Sequence, residues 1–154
     1  MTGTELSSNL SLRLEDPAES VFTVSAKVDA INLAQKTVVN MLHNGYLTEL
    51  EQVATGTTTD TDAVFGSKFA TFSGMNIDPI RAGIIGVKNA TNDKWCTMIE
   101  VGDLKRLENS YLSGTTSNPV AFVVNEQVHV FPANTLAIYV LYLKSPTDFV
   151  ASQS

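Results

Sequence analysis

The residues of this chain whose types could do chemistry are two histidines, His43 and His129, one cysteine, Cys96, and two acidic pairs, Asp60 with Asp62 and Glu15 with Asp16. None belongs to a recognisable catalytic motif. A histidine acts as a base only within reach of a nucleophile, and neither histidine has a partnering motif nearby. His43 falls at the end of a helical pattern, where a donor near the last carbonyls is favourable. His129 occupies the polar phase of an alternating strand pattern, so both placements read as structural. Cys96 stands beside Trp95 inside a strand pattern and reads as a small buried side chain rather than a reactive thiol. TTTDTD places Asp60 and Asp62 two apart, yet a calcium loop also needs a third carboxylate, a turn glycine and a closing glutamate. Glu15 and Asp16 are neighbours on what reads as a solvated turn, a poor setting for sharing a proton. There is no phosphate loop, no nucleophile elbow and no Cys/His metal spacing. The sequence therefore predicts no catalytic residue, no cofactor and no metal.

Composition narrows the class further. A net charge of −6 and a pI near 4.7 exclude the basic stripe of a general nucleic-acid binder. Arg13, Lys27, Lys36, Lys105 and Arg106 are dispersed among acids. Charged residues make up 17%, below the usual quarter for globular domains, which suggests surface hidden in an assembly. The single cysteine rules out an internal disulfide framework. No apolar run is long enough to span a bilayer, and the first residues lack a secretory pattern, so the expectation is a protein kept inside the cell or inside something assembled there.

The elements that must position these residues read as α+β. Leu6, Leu10 and Leu14 recur every four residues, predicting a helix over about 4–14 that Asp16-Pro17 ends. Val24, Val28, Ile31, Val38 and Leu42 share one face of a second helix over about 24–43, capped by Thr23 or Ser25 and closed by Asn44-Gly45. Residues 46–52 are equally compatible with another helical turn or an extended run, and the Thr-rich stretch from Ala54 with a strand or an exposed loop. Phe69 and Phe72 anchor that stretch to the core. IRAGIIGV and WCTMIEV predict a β-hairpin over about 80–101, and GDLKRLENSYLS a short helix over 102–113. Val120–Val124 and Gln127–Phe131 flank Asn125-Glu126, the spacing of a tight hairpin. The final strand, LAIYVLYLK, is apolar on both faces and predicts a central position, completing β structure over about 119–143. One domain over 1–146 and a tail over 147–154, flexible or partner-binding, follow.

The order of these pieces resembles the head-to-tail adaptor (connector) proteins of tailed bacteriophages. The likeness rests on Arg13, Leu14, Asp16 and Pro17, then Asn32, Ala34 and Gln35, and, in the closing unit, Phe122, Val128, Val130, Pro132, Tyr142, Lys144 and Pro146. NIDP at 76–79 is a weak version of the Leu-Pro-x-Asp element that the group carries there. The resemblance implies a structural, non-enzymatic virion protein that forms a ring, typically dodecameric, beneath the portal. Its implied partners are the portal, tail or neck proteins and further copies of itself, with genomic DNA passing through without specific binding; the net charge of −6 adds the expectation of an acidic lumen that does not hold the duplex. Within that reading, Lys27, Asn32, Gln35 and Lys36 on the polar side of the second helix face a neighbouring subunit, and Phe149 and Val150 anchor the tail to the portal. The Thr-rich loop 55–63 is a second contact candidate. The competing expectation is a small-ligand or carbohydrate-binding β-rich module that uses Trp95, Tyr111 and His129 as its contact surface.

Overall fold

The structure, a computed structural model, describes residues 3–16, 18, 21–108 and 114–150. The fold is α+β. The chain divides into two compact units, Met1–Leu47 with Ser145–Ser154, and Thr48–Lys144.

The first unit holds helix α1 (Gly3–Arg13) and helix α2 (Val24–Met41). Thr23 caps α2, its Oγ1 accepting the Ala26 N–H at 3.2 Å. The helix stops at Leu42, whose backbone turns extended, before the expected Asn44-Gly45 stop; residues 44–46 form a short 3-10 turn. The apolar face read from spacing is only partly covered. Val28 is buried, whereas Val38 and Leu42 are exposed.

The second unit carries two sheets. The first has the order β1 (Glu51–Thr57), β9 (Ala137–Lys144), β4 (Pro79–Asn89), β5 (Lys94–Trp95), all antiparallel. The last apolar strand is thus central, hydrogen-bonded on both edges. The second sheet has the order β2 (Asp60–Thr61), β3 (Lys68–Thr71), β8 (Gln127–Phe131), β7 (Val120–Val124), β6 (Thr97–Met98). Between β3 and the sheet that follows, Phe72–Met75 makes one helical turn, α3. The Asn125-Glu126 turn joins β7 to β8 with φ of 49° and 57°, the left-handed pair that a tight hairpin of matching twist needs.

The hairpin expected over 80–101 is divided. Trp95 pairs with Lys88 in the first sheet, but Thr97 and Met98 run parallel to Val120 and Ala121 in the second. Cys96 lies at the crossing, its N–H on the Val87 carbonyl. Val87, Ile138, Val140 and Tyr142 from one sheet and Ala121, Val128 and Val130 from the other share one buried cluster, with Phe72 and Met75 beside them. The short helix expected over 102–113 is a 3-10 helix, Val101–Glu108; residues 109–113 lie outside the described residues. The start of the Thr-rich stretch, Ala54–Thr57, belongs to strand β1, whose backbone pairs along Ala137–Leu143.

Candidate partner-binding surface

Two lysines on α2, nine positions apart, have opposite environments. The Lys27 side chain is 1% exposed. Its Nζ lies 2.9 Å from Ser11 Oγ, 3.4 Å from the Asp16 carbonyl and 3.6 Å from Asp16 Oδ2. Asp16, 4% exposed, also accepts the Val21 and Phe22 N–H groups, the latter at 2.9 Å. Ser11 donates to the Ser7 carbonyl at 3.0 Å, so α1, the following turn and α2 are joined by one buried polar network. Lys27 is therefore not a surface residue, and Asp16 does not sit on a solvated turn. A buried ammonium without such partners would be expelled or neutralised.

Lys36 points elsewhere. Its Nζ sits 2.8 Å from Asp148 Oδ1, with the two side chains 46% and 52% exposed. One turn before it, Asn32 donates from Nδ2 to the Phe149 carbonyl at 3.0 Å and accepts the Phe149 N–H on Oδ1 at 2.8 Å. Spacing of four places Asn32 and Lys36 on one side of the helix. An Asn amide offers one acceptor and two donors, so it pairs with a backbone N–H and C=O as a neighbouring strand would. That contact is indifferent to the side chain at 149, while Lys36 reads the charge at 148. Thr147 to Val150 have no regular structure, Pro146 is buried, and Val150 is 80% exposed.

Of the residues singled out from sequence, the structure thus brings together Asn32, Lys36 and Phe149. Gln35 lies on the same helix with its Oε1 buried and without a hydrogen-bond partner. Asp148 was missed. Nothing local in TDFV distinguishes it, since its partner is 112 residues away.

The histidine reading also changes. His129 is fully buried, not on a polar face, because the rings of Phe65, Phe69 and Phe122 pack against its imidazole. Its Nε2 is 3.1 Å from Gln127 Oε1 and its Nδ1 2.8 Å from Ser67 Oγ. The Gln oxygen only accepts, so this network assigns the proton to Nε2 and makes Ser67 the donor to Nδ1. The ring stacks on Phe122 at 4.7 Å and meets Phe65 edge-on at 5.4 Å. Burial pushes its pKa below the ordinary value, with the Asp62 charge pulling the other way. The Phe65 N–H holds the Asp62 carboxyl below its usual range. A serine beside a histidine has the contact of a nucleophile and base, and here both side chains are fully buried. Cys96 is buried as expected, and burial raises its thiol to about 11, far from a reactive thiolate.

One face of the first sheet is open. Thr55, Tyr139, Lys88 and Trp95 form a cross-strand row. The Trp95 ring lies over Gly86, where a Cβ would meet Cζ3 at 3.0 Å, and remains 59% exposed. Val53, Ile85 and Tyr139 are exposed as well. On α2, Leu33 and Met41 are exposed too. Among the described residues no helix is long and apolar enough to cross a membrane, and no three His, Cys, Asp or Glu side chains group as metal ligands. Compared with known proteins, the chain matches no family model and none of the curated proteins.

Proposed function

We propose that this chain is a structural subunit of a head-to-tail adaptor ring, placed beneath the portal of a tailed bacteriophage and linking capsid to tail. The order of its pieces supports this, and so does the observation that carries the proposal: apolar side chains left bare in both units, Leu33 and Met41 on α2 and Val53, Ile85, Tyr139 and Trp95 on the first sheet. Exposed apolar side chains of this kind fit contact with other chains. Lateral copies of the subunit cover it in a ring, and Val150, exposed at the end of the clasped segment, is the portal anchor. The acidic balance suits a lumen that does not hold the duplex.

The test is the mass of the purified protein by light scattering and native mass spectrometry, alone and with portal. A ring, or binding to portal, is the expected result; a monomer that never binds portal overturns the proposal. Deleting residues 147–154 should abolish portal binding while the fold persists, and retained binding would remove the tail from the interface. The ligand-binding alternative narrows to Trp95 and its neighbours Lys88 and Tyr139, since His129 is buried and Tyr111 lies outside the described residues. A carbohydrate that raises the melting temperature of wild type but not of Trp95→Ala would favour it.

A further inference from the structure

We infer that the Asn32/Lys36 side of α2 is a docking site for the 148–149 segment of a second copy of this chain, so that copies link by exchanging tails. The site is already occupied by the segment it is built to hold. Asn32 makes two hydrogen bonds to the backbone of Phe149, and Lys36 pairs with Asp148. A second copy presents the same Asp-Phe sequence, and every contact that seats the tail within one chain is satisfied equally by its neighbour's. Two features favour exchange over a permanent internal contact. The ion pair is half exposed and open to solvent competition, and the segment holding it has no strand or helix that must unfold before it leaves. The recognition is also directional. The Asn amide fixes the run of the backbone and Lys36 demands an acid one residue earlier, so a tail seats in one register only.

The test of this proposal differs from that of the adaptor reading, because it follows one contact between copies and needs neither portal nor a ring of any size. The Lys36–Asp148 contact, 2.8 Å between ammonium and carboxylate, is within reach of a zero-length carbodiimide, which joins the two as an amide with loss of water. Wild-type protein of natural isotope content is mixed with an equal amount of 15N-labelled protein, equilibrated over a concentration series and treated with carbodiimide. The cross-linked peptide containing residues 36 and 148 is then read by mass spectrometry. Exchange predicts mixed-isotope peptides that rise with protein concentration toward roughly half of the total, the value for random pairing of two equal pools. Asp148→Asn must remove the peptide altogether. Cross-links that stay unmixed at the highest concentration would overturn the inference, whatever the outcome with portal.

Discussion

Replacing Lys27 with methionine keeps an unbranched side chain of nearly the same length and removes the ammonium at its end, which isolates the role of that charge. In the native protein that ammonium is 1% exposed and lies 2.9 Å from Ser11 Oγ and 3.6 Å from Asp16 Oδ2. Removing one partner of a buried ion pair costs about 3–5 kcal/mol, mostly because the other charge is left behind in a poorly solvated place. Here the orphaned carboxylate keeps the Val21 and Phe22 N–H groups, and its separation from Nζ is long for direct contact. The expectation therefore sits at the low end, about 3 kcal/mol. At about 1.4 kcal/mol per decade, amide protection in α1 and α2 should fall by roughly a hundredfold.

Hydrogen exchange followed residue by residue, with urea unfolding as a check on the size of the effect, measures this directly. The double variant Asp16→Asn, Lys27→Met should be more stable than Lys27→Met alone, since the unpaired charge has gone. Raising the salt concentration should leave the difference nearly unchanged, as a buried pair is poorly screened. A loss below about 1 kcal/mol for Lys27→Met, the range of an exposed pair, would refute the reasoning.

Lys36→Met should cost no more than about 1 kcal/mol, and salt should shrink that difference further, which thermal unfolding at two ionic strengths would show. Asn32→Ala should bring exchange of the Phe149 amide, slowed by no more than roughly tenfold in wild type, to the free-chain rate; an unchanged rate would mean that the clasp does not hold in solution. For His129 the native pKa lies below the unfolded value of about 6.5, so the unfolded chain takes up a proton that the folded one refuses. Stability should therefore be full above that pH and decline as the pH falls through it, and His129→Gln should flatten the decline in urea titrations. At Gly114 an added Cβ would stand 2.6 Å from Phe131 Cβ and 2.7 Å from its carbonyl oxygen. Gly114→Ala should thus destabilise by about 1–3 kcal/mol, and an unshifted urea midpoint would refute the contact.

Elements written in local pattern were legible before the structure. The four-residue leucine spacing announced α1, Asn125-Glu126 between two β-branched runs announced the β7–β8 turn, and of the two caps the sequence offered for α2, Thr23 and Ser25, Thr23 is the one used. The two-sided apolarity of LAIYVLYLK announced a central strand, and β9 is one. Features decided by distant partners were not legible. Lysine on a helix reads as solvated, and only the fold supplies Asp16 and Ser11 to bury Lys27. An alternating strand reads as half polar, and only the fold brings the rings of Phe65, Phe69 and Phe122 around His129. WCTMIEV reads as one arm, yet its two halves find hydrogen bonds in different sheets. The candidate site shows the same division. Asn32 and Lys36 stood out for polarity and Phe149 for apolarity, but their meeting spans over a hundred residues and goes through the Phe149 backbone rather than its ring.

That last detail sets the energetic character of the clasp. Fixing the backbones of Asp148 and Phe149 costs about 1–2 kcal/mol each. Against this stand two hydrogen bonds worth about 0.5–1.5 kcal/mol apiece and an exposed ion pair worth about 0–1 kcal/mol. The two sides nearly cancel, so the tail is seated with little to spare. A contact this close to balance contributes little to the stability of one chain, and stability is a poor reason for its geometry. Its two-point recognition does suit a segment that must leave one site and enter an identical one, or meet another surface through Val150, at small cost in free energy. Tail occupancy should then respond strongly to whatever else binds residues 147–150. A portal preparation that adds even a few kcal/mol for that segment should strip the Lys36–Asp148 cross-link from the chain, and a cross-link yield indifferent to saturating portal would show that the tail is not the shared element.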